Sequence, residues 1–101
     1  MASVFQVLAD DTRREVLSLL AGDELTAGQV GQRFELTRQA VSHHLQRLRE
    51  AGLVEERREG TRRYYRARPE GLGEVAAFVE RFWEARLGAL ARAVEAATPS
   101  G

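Results

Sequence analysis

Two apolar series at helical spacing, Val30/Phe34 and Val41/Leu45/Leu48, are separated by only Glu35, Leu36 and Thr37. Neither stretch can bury its stripe alone, and a break this short makes the two helices pack against each other. Their ends are marked in the sequence. Thr26 can cap the first, and Thr37 can cap the second, which is expected to run from Arg38 to about Ala51 and to stop at Gly52 as its C′ residue. Gly28 and Gly31 fall inside the first helix at up to about 1 kcal/mol each against alanine, so that helix depends on tertiary packing.

The flanks complete the pattern. Val4, Phe5, Val7 and Leu8 predict a short first helix. Asp10 is placed to cap a second, Asp11 suits its positive end, and Val16, Leu19 and Leu20 repeat along it until Gly22-Asp23. After Leu53 the period changes. Leu53 to Arg58 and Arg62 to Ala67 read as two strands joined by Glu59-Gly60-Thr61. Pro69 closes this hairpin. From about Glu70 to Ala97, Leu72, Val75, Val79, Phe82, Trp83, Leu87, Leu90 and Val94 mark one long amphipathic helix. The expected fold is mainly α with a β-hairpin wing: four helices, two strands and a fifth helix, a winged helix-turn-helix. One domain over residues 1–97 suits a chain of 101, with 98–101 as a disordered tail.

The charge is uneven. All fifteen cations are arginine, against fifteen acids. Between Arg33 and Arg68 lie ten arginines and five acids; outside it lie five arginines and ten acids. A basic segment inside a neutral molecule can attract a polyanion. Zero cysteine excludes disulfides, thiolate metal sites and thiol nucleophiles. No apolar run is long enough to span a bilayer, and Asp10, Asp11, Arg13 and Arg14 interrupt any signal-peptide core. The expectation is a cytoplasmic protein with no membrane partner.

With Val41 centred on the buried face of the helix from Arg38, Leu45 and Leu48 fall close to it, with Thr37 and His44 further round. The opposite face carries Gln39, His43, Gln46 and Glu50, flanked by Arg38, Ser42 and Arg47. Glutamine can pair bidentately with adenine, and arginine with guanine, in the major groove. The N-terminal half of such a helix usually reaches the groove floor, which ranks Arg38, Gln39, Ser42 and His43 ahead of Gln46 and Arg47. The hairpin adds Arg57, Arg58, Arg62, Arg63, Arg66 and Arg68. Like charges so close on a ribbon repel, and a polyanion would relieve them. Two plainer readings stand beside these: a solvated polar helix face, and ion pairs with Glu55, Glu56 and Glu59.

These residues resemble the ArsR/SmtB winged-helix transcriptional repressors over nearly the whole chain. The resemblance is carried by FQVLADDTRREVLSLL, ELTAGQVGQRF, LTRQAVSHHLQRLREAGLVEERREGTRRYYRA and the Trp-bearing last helix, with AVSHHLQRLREAGLV the most specific. It implies a homodimer through the first and last helices and contact with double-stranded DNA. The DNA-contact set is Thr37, Arg38, Gln39, Ser42, His43, Arg47, Arg57, Arg58, Arg62 and Arg63. The dimer set is Phe5, Leu8, Val79, Phe82, Trp83 and Leu90, for each of which ordinary core packing is the alternative. Metal-sensing members carry Cys-Val-Cys in the third helix, where this chain has Thr26 and Gly28; others use Asp and His of the last helix, which has neither here. The adjacent His43 and His44 diverge on a helix. The resemblance is to the metal-independent, SdpR-like autorepressor type, and no metal or other cofactor is expected.

The function expected is a sequence-specific, homodimeric repressor on a palindromic operator. The alternative is a winged helix that binds an acidic protein partner, although such a module would more often expose aromatic residues on the fourth helix. An enzyme is excluded by inventory: there is no phosphate-binding glycine loop, nucleophile elbow or zincin motif, and Ser42 beside His43 points elsewhere. No effector is visible; a small organic ligand or a protein are the classes left open.

Overall fold

The computed structural model describes residues 3–97. The elements are α1 (Val4–Val7), α2 (Asp11–Gly22), β1 (Leu25–Thr26), α3 (Ala27–Phe34), α4 (Arg38–Glu50), β2 (Val54–Glu59), β3 (Arg62–Ala67), a 3-10 turn (Pro69–Leu72) and α5 (Gly73–Ala97). The tail assigned to residues 98–101 lies outside the described residues.

Caps set the helix ends where the sequence marks them. The Asp10 carboxylate accepts from the Arg13 amide at 3.0 Å. Thr26 and Gln29 form a reciprocal capping box on α3, and the Thr37 hydroxyl accepts from the Ala40 amide at 3.1 Å. Helix α1 is only four residues long and is held from outside: Arg13 donates to the Val7 carbonyl at 2.8 Å and Arg14 to that of Leu8 at 2.6 Å.

Gly31 explains the close approach of α3 and α4. A Cβ there would lie 3.3 Å from Val41 Cγ2 and 3.4 Å from the Leu36 carbonyl oxygen. Between the two helices the chain turns on Glu35, which takes a left-handed φ of 54°. Helix α4 ends in a Schellman close: the Leu53 amide donates to the Leu48 carbonyl and that of Gly52 to Arg49, each at 2.9 Å, with Gly52 at φ 76°. Leu48 and Leu53, the apolar pair of that motif, are fully buried. They join Val7, Val16, Leu20, Val30, Val41, Leu45, Val54 and Tyr65 in one core.

The β2-β3 hairpin forms as the expected wing, and the sheet adds one strand that the sequence did not signal. It has three strands in the order β1-β3-β2, all antiparallel, with Leu25 opposite Tyr65 and Thr26 opposite Tyr64. A two-residue strand offers too little alternation to register in the sequence. The wing register pairs Val54 with Ala67 through Glu59 with Arg62, so the turn is Gly60-Thr61 with Gly60 at φ 62°. The last helix begins at Gly73, three residues later than expected, because Pro69 opens a 3-10 turn first.

That turn is seated tightly. A Cβ on Gly71 would fall 2.2 Å from the Gly52 carbonyl oxygen, a backbone atom that cannot swing aside. Gly71→Ala should therefore destabilise the protein by about 1–3 kcal/mol in urea unfolding. Gly22→Ala, where the added methyl meets nothing within 4 Å, should cost nothing; equal losses for both variants would contradict the packing described.

Candidate nucleic-acid interface

Helix α4 buries Val41, Leu45 and Leu48 and exposes Arg38, Gln39, Ser42, His43, Gln46 and Arg47. Among the described residues the side chains of Arg38, Gln39, Ser42 and Arg47 make no hydrogen bond or ion pair, so their polar groups are available to a ligand. Gln46 is engaged, donating to Glu50 at 3.1 Å. The Thr37 hydroxyl already accepts a capping bond and retains a proton to donate.

The wing has two faces. Val54, Glu56 and Arg58 stand opposite Ala67, Tyr65 and Arg63; Glu55, Arg57 and Glu59 stand opposite Arg66, Tyr64 and Arg62. Most of its arginines are paired. Arg57 lies over the Tyr64 ring, 4.9 Å from its centroid, and bonds to Glu24 and to Glu59. Those two carboxylates hold its pKa above the ordinary arginine value. Glu55 takes Arg66 and Arg68, and Glu56 takes Arg49, Arg58 and Arg63. Of the four wing arginines placed in the DNA-contact set, Arg62 alone has no ion pair among the described residues. Exposed pairs of this kind stabilise by about 0–1 kcal/mol each, so they orient arginines more than they hold the fold together.

One open groove gathers several of these groups. It is lined by Thr26 to Gln29, Gly31 and Gln32 of the α3 side, Arg38, Val41 and Ser42 of α4, and Thr61 to Tyr65 of the wing. Arg38 and Ser42 thus share a concavity with Arg62 and Arg63, although at least twenty positions separate the pairs. Gln39, His43 and Arg47 lie on the exposed face of α4 outside its lining, as do Arg57 and Arg58 on the wing. Gln29 and Gln32, three apart on α3 and not among the expected contacts, also line the groove, although the Gln29 side chain is engaged in the capping box.

The apolar positions assigned to a dimer divide. Leu8 packs against the core of its own chain. Phe5, Val79, Phe82, Trp83 and Leu90 are exposed by 42–60%, and α5 buries no residue. Phe78, absent from the sequence reading, meets Phe5 edge-on at 5.6 Å and docks α1 on α5. Phe82 stands edge-on to Trp83 at 5.7 Å.

His44 turns the other way, toward the N-terminus of α2. Its Nδ1 is buried with no hydrogen-bond partner. Burial pushes its pKa below 6.5; Arg13 and His43 push the same way, against the opposing pull of Asp10. The Asp10 carboxyl is itself held low, chiefly by the Arg13 amide. Among the described residues no three of His, Asp and Glu gather where a metal could sit, and no helix is long and apolar enough to cross a membrane.

A helical pair with a solvent-facing second helix, a wing and a terminal helix defines a winged helix-turn-helix. Residues 8–57 match a helix-turn-helix domain family. The chain is 38% identical over 91 residues to the HTH-type transcriptional regulator Rv2034 of Mycobacterium tuberculosis, covering 90% of this chain and 85% of that protein. It is 38% identical over 65 residues to the transcriptional repressor SdpR of Bacillus subtilis, covering 64% of this chain and 72% of that protein. Among solved structures it is similar to the homodimeric winged helix-turn-helix DNA-binding domain of Mb0332 from Mycobacterium bovis, a possible ArsR-family regulator. The TM-score is 0.65 at 36% identity, covering 80% of this chain and 75% of that one. The chain belongs to the ArsR family of winged-helix transcriptional regulators, whose members bind DNA and are not enzymes.

The His44 environment predicts a pH dependence. The fold favours neutral imidazole, so its contribution is complete above the unfolded value of 6.5 and is lost as pH falls through the lower folded value. The urea midpoint should fall between pH 7.5 and 5, a window above that in which Asp10 titrates. His44→Leu should flatten this segment of the profile; an unchanged slope would remove His44 as its source.

Proposed function

We propose that the chain is a homodimeric, sequence-specific repressor that binds a palindromic operator in double-stranded DNA without a metal cofactor, in the cytoplasm. The observation that carries this reading is the shared groove: Arg38 and Ser42 at the start of α4 and Arg62 and Arg63 at the wing tip face one concavity, with Gln39 and His43 exposed beside it. Gln39, Ser42 and His43 read base edges, Thr37 and Arg38 seat the helix, and the wing meets phosphates. Arg62, Arg38 and Arg47 lead the phosphate contacts because no carboxylate holds them. Arg57, Arg58 and Arg63 contribute less, each being shared with glutamates.

The α5 face supports a dimer. Phe78, Phe82, Trp83, Leu87 and Leu90 leave an apolar stripe in water that a monomer would not tolerate cheaply. The radius of gyration is 19.3 Å, against about 13 Å for a compact chain of this length, because α5 extends away from the core. Repression is supported by the role that the Bacillus relative's name gives it. Metal independence is supported by the absence of cysteine, by Thr26 being occupied in a cap, and by Gly28 having no side chain to offer.

Selection of binding sites from random duplexes should return two half-sites about 34–36 Å apart. Gln39→Ala should cost about 1–3 kcal/mol and relax preference at one base pair. Arg62→Ala should weaken binding to every sequence and lower the salt slope by about 0.9. Uniform weakening by Gln39→Ala, or an unaltered slope for Arg62→Ala, would displace that residue from its role. Trp83→Ala should shift sedimentation toward monomer while the helical circular dichroism of the core persists; a dimer of wild-type affinity would place the interface elsewhere.

A further inference from the structure

Phosphate contacts position a protein and base contacts specify, so where α4 reads bases while the wing holds phosphates of the same duplex, whatever fixes the angle between them bears on discrimination. One carboxylate occupies that junction. Glu56 of β2 has Oε2 3.0 Å from Nη1 of Arg49 in α4. Its Oε1 lies 3.6 Å from Nε of Arg58 in β2 and 3.6 Å from Nε of Arg63 in β3. Its side chain is 12% exposed, the most shielded of the acids in these wing pairs. The other wing acids serve the sheet and its margins: Glu55 meets Arg66 and Arg68, while Glu24 and Glu59 meet Arg57. Among the described residues Glu56 is the one acid paired with an arginine of α4.

The register sharpens its role. Arg58 and Arg63 are direct cross-strand partners, where two like charges repel. Glu56 stands two residues before Arg58 on the same face and joins both. We infer that Glu56 is a positioning residue for DNA discrimination: it ties the wing to the recognition helix through Arg49 and withholds Arg58 and Arg63 from indiscriminate phosphate contact. This rests on the DNA-binding reading above. Without the carboxylate, α4 loses its ionic link to the ribbon, and two guanidinium groups become available to any duplex. Non-specific binding then strengthens while specific binding does not keep pace.

The test uses the full chain and fluorescence anisotropy over a range of NaCl, with a selected duplex and a scrambled one of equal length. Glu56→Gln should bind the scrambled duplex more tightly, steepen its salt slope by about 0.9–1.8, and lower the ratio of specific to non-specific affinity by roughly 2- to 30-fold. Arg49→Gln cuts only the arm to α4, so it should lower the ratio with no change in the slope on scrambled DNA. Arg49→Lys, which keeps the charge, should restore part of the ratio. Wild-type ratios in both Glu56→Gln and Arg49→Gln would overturn the inference. So would an Arg49→Gln variant weakened equally on both duplexes, which would make Arg49 a phosphate contact. Should Glu56→Gln fail to fold by circular dichroism, the two Arg49 variants decide the matter alone. A wild-type protein without preference between the duplexes would instead sink the DNA-binding reading itself.

Discussion

The arrangement depends on how the chain leaves α4. The Schellman close at Gly52 turns the backbone through a left-handed residue and delivers Leu53 beside Leu48 in the core. The same few residues receive the chain on its return: the Arg68 amide donates to the Leu53 carbonyl at 2.7 Å, and Gly71 seats against Gly52. Helix, wing and the root of α5 therefore meet at one small joint made of backbone. Side chains could relax around a misfit there; carbonyl oxygens cannot. Two glycines, one chosen for its dihedral and the other for lack of bulk, make the crossing feasible.

Upon that frame the charges are distributed with more restraint than their number suggests. Ten arginines in thirty-six positions would form a diffuse cationic cloud if all were unopposed. Instead Glu24, Glu55, Glu56 and Glu59 take up most of the wing's guanidinium groups, and those left unopposed among the described residues are Arg33 on α3, Arg38 and Arg47 on α4, and Arg62 at the ribbon tip. Exposed pairs contribute little to folding. Their larger effect is to decide which arginines keep a full charge to offer.

Much of this was legible in the chain. Thr37 and Gly52 bracket α4 because a hydroxyl cap and a left-handed C′ residue are local requirements, visible without tertiary contacts. The hairpin was legible from its change of period, and the exposed face of α4 from the 100° step. The illegible parts are those fixed at a distance. Leu25-Thr26 becomes a strand only because Tyr64 and Tyr65 pass beside it. The pairing of Arg57 with Glu24, thirty-three positions away, cannot be seen by counting charges along the chain. The 100° step puts His44 at the margin of the buried face, but its unsatisfied nitrogen depends on what α2 sets against it. The seating of Phe78 depends on Phe5, which lies at the other end of the sequence.

The reach of α5 makes the joint at Gly52 and Gly71 consequential in one more way. At 1.5 Å per residue its 25 residues form a lever about 37 Å long, whose main packing among the described residues is against the preceding turn and α1. A tilt of about 5° at the fulcrum sweeps the distant tip through an arc of about 3 Å, close to the rise of one base-pair step. Any misfit between the two glycines would thereby be magnified at the far end of the helix.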